Sequence, residues 1–232
     1  MVESSGEPPF RSNKSIEEIR AAYDEEEAAD YAEAHWIKRR IERRTRRHQF
    51  GDATGRVLDV ACGTGVNFPH LPESADLVGI DVSTPMLARA REKADELGRQ
   101  VELEQMDAQR LSFANDSFDH VISSLSTCTF PDPIEALNEM GRVCKPDGQI
   151  RLLEHHKWDA PVLGSVTERI NEGEYERVGC RLYEDPTAVV GQSNLEVVTD
   201  RRWRLPPFTG VVARPSATFE TSIRQEDPRS IP

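Results

Sequence analysis

Two glycines and three aspartates, placed where apolar runs end, are the residues of this 232-residue chain best spaced to do chemistry. The segment Val57-Leu58-Asp59-Val60-Ala61-Cys62-Gly63-Thr64-Gly65 drives a hydrophobic strand into a glycine-containing turn. Gly63 and Gly65 supply missing side chains, so the backbone can approach a ligand closely. A helix opening after them would offer free N–H groups to a carboxylate or phosphate. Asp81 closes Val78-Gly79-Ile80-Asp81 about 20 residues beyond the first strand, where a carboxylate accepts both hydroxyls of a ribose. Asp107-Ala108 ends a third strand. A carboxylate there can accept from an exocyclic adenine amine while a neighbouring N–H meets a ring nitrogen. A glycine turn, then Asp, then Asp at three successive strand ends describes a nucleoside lying across the carboxyl edge of a sheet.

A dinucleotide is the competing ligand, since dehydrogenases use a related turn. Their G-x-G-x-x-G/A fingerprint, begun at Gly63, requires a small residue at position 68, where Phe68 stands. Begun at Ala61 it requires one at Val66. An NAD-linked oxidoreductase is disfavoured on this ground.

The elements that must hold these residues follow from the apolar pattern. Strands are predicted at 57–60, 77–80, 101–105, 118–123 and 149–154, with helices after the glycine turn through Phe68, at 84–97 and at 133–143. Gly98 ends the second of these helices, and Lys145-Pro146-Asp147-Gly148 gives a turn before the fifth strand. This alternation implies an α/β fold: a doubly wound, mostly parallel sheet with helices on both faces. Residues 161–173 read as helical, and 195–199 with 209–213 as a pair of strands closing the sheet as an antiparallel hairpin. Upstream, residues 15–50 read as a helical lid: Ser15 and Glu18 form a capping-box pattern, and Tyr31, Ala34, Ile37 and Ile41 recur at helical spacing. Residues 1–14 and 215–232, polar and proline-containing, are expected to be disordered and loosely held. One domain over 15–214 is expected, with 51–156 as its ligand-binding core.

The runs VLDVACGTGVN, VGIDVSTPMLARARE, MDAQRLSF, DSFDHVISSLSTCTFPDP and EMGRVCKPDGQIRLLEH resemble the S-adenosylmethionine-dependent methyltransferases of the Rossmann-like class. The branch they look most similar to holds the ubiquinone/menaquinone C-methyltransferases and the phosphatidylethanolamine N-methyltransferases. The resemblance covers about residues 50–156 and thins over 157–214. It implies a seven-stranded mixed sheet and S-adenosyl-L-methionine as cofactor. It also implies that Asp59, Ala61, Gly63, Thr64 and Gly65 form the glycine-rich first motif, although the family more often has glycine at the position of Ala61. Asp81 matches the ribose carboxylate, Val82 and Met86 the apolar positions beside the adenine, and Asp107 with Ala108 the adenine-contacting pair. Ser123 and Ser124 match the place where the methionine moiety meets the acceptor, and Tyr31 belongs to the segment that often covers the cofactor.

A sulfonium carries an activated methyl group, so in-line displacement proceeds without a metal, and no metal is expected. The protein's share is alignment and exclusion of water, a contribution on the order of 7–11 kcal/mol. An acceptor that arrives protonated needs a base, and the candidates are His155 and His156 after the fifth strand, with Glu154 beside them. The acceptor expected is a small amphiphile, a lipid amine or a quinone precursor. A non-catalytic S-adenosylmethionine-binding module is the alternative.

Composition narrows the remaining classes. The formal charge is -12. An acidic surface lacks the phosphate-neutralising cations that broad nucleic-acid binding requires. Lys38–Arg47 is the exception, with seven cations and one acid on a predicted helix. It is read either as a lid with solvated or paired charges, or as a peripheral contact with anionic lipid headgroups. No apolar run approaches the roughly 18 residues that span a bilayer, and the first residues lack the apolar core of a secretory signal. Cys62, Cys128, Cys144 and Cys180 show no metal or CxxC spacing. A cytoplasmic setting without disulfides is expected.

Overall fold

The computed structural model describes residues 10–33, 36–156, 173, 175–181, 185–204 and 207–216, with the backbone alone described at 30–33, 36–41, 204 and 207. Three helices come first: α1 (Ile16–Ala22), α2 (Glu25–Glu33) and α3 (Trp36–Phe50). The capping box at the start of α1 forms, with the Ser15 hydroxyl accepting the Glu18 N–H and the Glu18 carboxylate accepting the Ser15 N–H. Seven strands follow: β1 (Arg56–Val60), β2 (Asp76–Asp81), β3 (Val101–Gln105), β4 (Phe118–Ser124), β5 (Cys144–His155), β6 (Leu195–Arg204) and β7 (Pro207–Pro215). Between them lie α4 (Thr84–Glu96), α5 (Pro133–Val143) and the short α6 (Pro186–Val190).

The strands form one sheet in the order β3-β2-β1-β4-β5-β7-β6. Pairings from β3 through to β5 are parallel, and β7 runs antiparallel to both β5 and β6. This is the mixed seven-stranded sheet with an antiparallel C-terminal pair that the pattern and the resemblance imply. The chain winds outward from β1 through β2 to β3, then returns to the other side of β1 as β4. Such a reversal opens a crevice beyond the strand ends, between β1 and β4, where open α/β sheets bind ligands.

Because the central strands are covered on both faces, their side chains alternate between two cores. Leu58, Val60, Val121, Ile150 and Leu152 pack with α5 residues such as Leu137 and Met140. Val57, Leu77, Ile122 and Leu153 pack with Phe50, Phe68, Leu87 and Ala90 on the opposite face.

Three elements depart from expectation. No α-helix opens after the glycine turn; 63–67 are turns, and a single 3-10 turn spans Phe68–His70. Gly65 is in the left-handed region with φ 75°, and Pro69 lacks the N–H a continuing helix requires. The turn at 145–148 is absorbed into β5, which begins at Cys144 with a register irregularity against β4. The late strands are also longer than their apolar centres, because charged side chains continue along the exposed face of the edge strand β6. The helix expected at 161–173 lies outside the described residues except for Gly173, as do 1–9 and 217–232. Of the N-terminus expected to be disordered, 10–14 are held: Ser12 N–H donates to Pro131 O at 2.8 Å, and Phe10 packs against the core.

Candidate functional site

The turn after β1 is built from backbone that ordinary side chains resist. Ala61, Gly63 and Gly65 all have positive φ, at 53°, 54° and 75°. Alanine in this region carries strain that glycine does not, so Ala61 has an energetic cost here. The two glycines differ in purpose. A Cβ on Gly65 would lie 2.6 Å from the Phe68 ring, so Gly65 is required by packing. A Cβ on Gly63 would meet nothing within 4 Å, so Gly63 faces open space. It exposes backbone where a ligand's tail can pass.

Asp81 stands at the end of β2 and is buried. Its Oδ2 accepts the Gly63 N–H and its Oδ1 accepts the Ser83 N–H, each at 2.9 Å. A carboxylate has about four lone-pair positions, so these bonds leave capacity for a ribose. Burial lifts its pKa to about 6 despite these hydrogen bonds. Ser83 also caps α4 by accepting the Met86 N–H at 3.2 Å, which sets Val82 and buried Met86 beside Asp81. At the next strand end, the Met106 N–H donates to Asp81 O at 3.0 Å. Asp107 follows at once, its Oδ1 accepting the Gln109 N–H at 2.9 Å, with Ala108 buried beneath. The structure therefore brings the glycine turn, Asp81, Val82, Met86, Asp107 and Ala108 to one edge.

Asp59 is placed differently. It lies within the α3-facing core layer, wholly buried, with both carboxylate oxygens accepting from Asn67 Nδ2 at 3.0 and 3.2 Å. Asn67 Oδ1 in turn accepts from Arg46 at 2.6 Å and from the Ser124 hydroxyl at 3.1 Å. Arg46 also reaches the Ser124 hydroxyl at 2.6 Å and pairs with Glu42 at 3.3 Å. Burial pushes the Asp59 carboxyl up to about 7; the Asn67 hydrogen bond and the Arg46 charge oppose the rise, and Asp81 adds to it. Asp59 thus supports the turn from behind through Asn67. Ser123 is also internal: its hydroxyl donates to Val60 O at 3.0 Å and contacts Ser126 Oγ. Thr64 is buried within the turn.

The β5 terminus separates the three candidate proton-transfer groups. Alternation sets His155 on the face of Leu153, edge-on to Phe208 at 4.9 Å. Glu154 and His156 share the opposite face. His156 is buried, with Nδ1 2.9 Å from Thr209 Oγ1. Glu154 is buried beside the turn that follows β4, accepting from Thr127 N–H at 3.4 Å. Burial pushes its pKa to about 8, against hydrogen bonds from Thr127 and Ser126.

Three carboxyls at the ends of β1, β2 and β5 are therefore all raised by burial. A ligand bearing positive charge relieves that cost, and S-adenosylmethionine carries a sulfonium and an ammonium. The residues present fit this cofactor: Asp81 for the ribose, Asp107 and Ala108 for the adenine, and open backbone at Gly63 for the tail. Among the described residues there is no cluster of three metal-type side chains.

Residues 10–28 run along this edge as a cap. At one end Ser12 bonds to Pro131, beyond β4; at the other the Ser83 hydroxyl donates to Tyr23 O at 2.5 Å, beside Asp81. The side chain of Tyr31 lies outside the described residues. The C-terminal half of α3 belongs to the body. Phe50 is fully buried, Gln49 donates to Leu152 O and Val211 O at 3.0 and 2.9 Å, and Asp52 pairs with Arg151. Arg43, Arg44 and Arg47 are exposed, whereas Arg46 is buried. Composition pointed to the basic helix but not to Asn67 and Arg46. For Arg46 the available signal is spacing, since Glu42, Arg46 and Gln49 fall on one helical face; Asn67 has no such signal.

Residues 57–148 match the family described as "Methyltransferase domain". The chain is 39% identical over 118 residues to a phosphatidylethanolamine N-methyltransferase of Cereibacter sphaeroides, covering 50% of this chain and 58% of that protein. It is 33% identical over 130 residues to the ubiquinone/menaquinone biosynthesis C-methyltransferase UbiE of Bdellovibrio bacteriovorus, covering 55% of each. The chain thus spans about half the length of these curated relatives. The fold resembles the crystal structure of a SAM-dependent methyltransferase from Aquifex aeolicus, with TM-score 0.62, 19% identity, and coverage of 82% of this chain and 97% of that one.

Proposed function

We propose that this chain, whose residues 57–148 form a methyltransferase domain of the class I, S-adenosylmethionine-dependent kind, transfers a methyl group to a small amphiphilic acceptor, a lipid amine or a quinone-like molecule. The observation that carries the reading is Asp81, which joins the ends of β1 and β2 by accepting from Gly63 and Ser83 while open space lies over Gly63. When bound, S-adenosylmethionine supplies a methyl group already activated by its sulfonium. The chain's own residues hold and orient. Asp81 takes the ribose hydroxyls, Asp107 and Ala108 the adenine edge, and Asp59 with Asn67 keeps the turn in its left-handed form.

Two relatives named for a lipid amine and for a quinone support the acceptor class. A cationic face supports it too: Arg43, Arg44 and Arg47 are exposed on α3, and Arg201 on β6 adjoins His48 at 2.9 Å. Such a face suits an acceptor presented at an anionic lipid surface. No helix among the described residues is long and apolar enough to cross a membrane. Four free cysteines support a reducing, cytoplasmic setting.

For an acceptor that arrives protonated, Glu154 and His155 are the groups assigned to take the proton, with His156 engaged by Thr209. Burial raises Glu154 to about 8, so it accepts a proton through its ionised fraction, which grows as pH rises toward that value.

The experiment is methyl transfer from isotope-labelled S-adenosylmethionine to extracted lipids, quinone precursors and polar metabolites, with anionic-vesicle cosedimentation alongside. Label in a lipid or quinone product is expected. Label only in polar products would overturn the acceptor class, and no label in any fraction would overturn the activity.

A further inference from the structure

Cys128 and Cys180 are 52 positions apart, yet their sulfurs lie 2.9 Å from each other. That is closer than sulfur atoms in ordinary packing contact, and less than 1 Å of movement separates them from a bond of about 2.05 Å. Both are free thiols. Their surroundings pin the approach: the Arg181 N–H donates to Cys128 O at 3.1 Å, aligning the two backbones. Cys128 lies in the 3-10 turn Thr127–Thr129, next to the residues that bond Glu154 at the rim of the cleft. Cys180 belongs to 175–181, which grips the cap from below. Tyr175 Oη accepts the Asn13 N–H at 3.3 Å, Lys14 Nζ donates to Glu176 O at 2.8 Å, and Arg177 pairs with Glu27. The Arg181 guanidinium donates to the carbonyls of Phe10 and Arg11.

We propose that Cys128 and Cys180 form a redox modification site, closed to a disulfide by hydrogen peroxide, that fastens the cap to the rim of the cleft. Cys180 is half-buried and is reached first, whereas Cys128 is fully enclosed. The Cys180 sulfur takes an oxygen from the peroxide, giving a sulfenic acid and one water. The Cys128 sulfur then attacks that sulfur, and the sulfenic oxygen leaves as a second water carrying the Cys128 proton. Two thiols are oxidised and one peroxide is reduced. Contact with the Cys180 sulfur and burial push the Cys128 thiol well above its ordinary value, which leaves Cys180 as the sulfur that meets the peroxide first.

The closed bond ties 10–28, through 175–181, to the end of β4. A ligand lying under that cap exchanges more slowly once the cap is fixed. This last consequence rests on the reading of the cleft as a cofactor site; the thiol chemistry does not.

The test uses the full chain, reduced and then treated with a stoichiometric amount of hydrogen peroxide. Titratable thiols are expected to fall from the four cysteines of the sequence to two. Peptide mapping should join the segments holding Cys128 and Cys180, and Tm should rise by about 5 °C. Dissociation of S-adenosylhomocysteine, followed by stopped flow, should slow by roughly fivefold or more and recover with dithiothreitol. Cys180→Ser should keep the unoxidised rate throughout. Four surviving thiols, a different linked pair, or sulfinic acid at Cys180 would overturn the site. A disulfide that forms with an unchanged dissociation rate would overturn the latch. Failure of S-adenosylhomocysteine to bind in either redox state would count against the cofactor reading, and thiol counting would still decide the pair.

Discussion

The carboxylate of Asp81 accepts the backbone N–H of Gly63 at 2.9 Å, so the end of β2 holds the turn that leaves β1. The contact sets a buried acid beside a glycine that faces open space. On the proposed function, the ribose and the tail would meet one continuous frame. Hydrogen bonds to a charged group contribute about 1.5–3 kcal/mol each. Asp81→Ala is expected to weaken S-adenosylhomocysteine binding by about 100-fold or more, with the fold retained by circular dichroism. A loss under about threefold would contradict a ribose-holding Asp81.

The two turn glycines should fail in different ways. At both, alanine meets a left-handed backbone that costs about 1–2 kcal/mol. At Gly65 it also meets the Phe68 ring at 2.6 Å, so Gly65→Ala should lower Tm markedly. Gly63→Ala has open space to occupy, so it should stay closer to the parent in Tm and lose cofactor affinity. Equal behaviour of the two variants, in melting and in binding, would contradict this division.

Cofactor affinity should depend on pH through Asp81. Its pKa in the free protein is about 6, and the ionised form accepts the hydroxyls. Affinity should be flat above pH 7 and fall about tenfold for each unit below pH 6. Calorimetry across pH 5 to 8 reads this directly, and a flat profile would remove Asp81 from the contact.

Glu154 should make stability fall as pH rises. Its folded pKa of about 8 lies above the ordinary 4.5. The stability of the protonated form is fully present below 4.5 and is lost as pH climbs through about 8. Glu154→Gln should therefore melt at a higher temperature than the parent at pH 9, with the gap narrowing toward pH 5. A gap that is constant with pH would place the titration elsewhere.

Arg46 is the cation that compensates buried Asp59, through Asn67. Removing one partner from such a network costs about 3–5 kcal/mol, because the remaining polar groups stay buried. Arg46→Gln should lower stability by that order. The carboxyl of Asp59, already raised to about 7, should rise further without the opposing charge. The variant should then lose more stability than the parent between pH 5 and pH 8. Denaturant titration at both values checks this; parallel losses would show that Arg46 does not act on Asp59.

The fold was readable where local pattern and tertiary demand agree. Short apolar runs mark β1, β2 and β4 and alternation marks β3, and Pro133–Val143 is a helix within the predicted limits because Asp132 caps it and Pro133 starts it. Asp81 and Asp107 were readable because a strand end is a fixed place in this topology. The glycine turn misled in one respect: the turn residues were visible, but not that left-handed Gly65 and Pro69 would leave only a 3-10 turn. The Cys128–Cys180 contact was beyond reach, since no local spacing encodes two segments 52 positions apart. Arg46 is one of seven cations in 38–47, and among those whose side chains are described it is the buried one.

The account stands on a cleft that takes the adenosine of S-adenosylmethionine and not a dinucleotide. Calorimetric titration of the reduced full chain with S-adenosylhomocysteine, and separately with NAD, tests it most directly. Saturable one-to-one binding of the first, abolished in Asp81→Ala, and no heat with NAD is the expected result. Binding of NAD in preference, or no heat with either ligand from a folded chain, would contradict it.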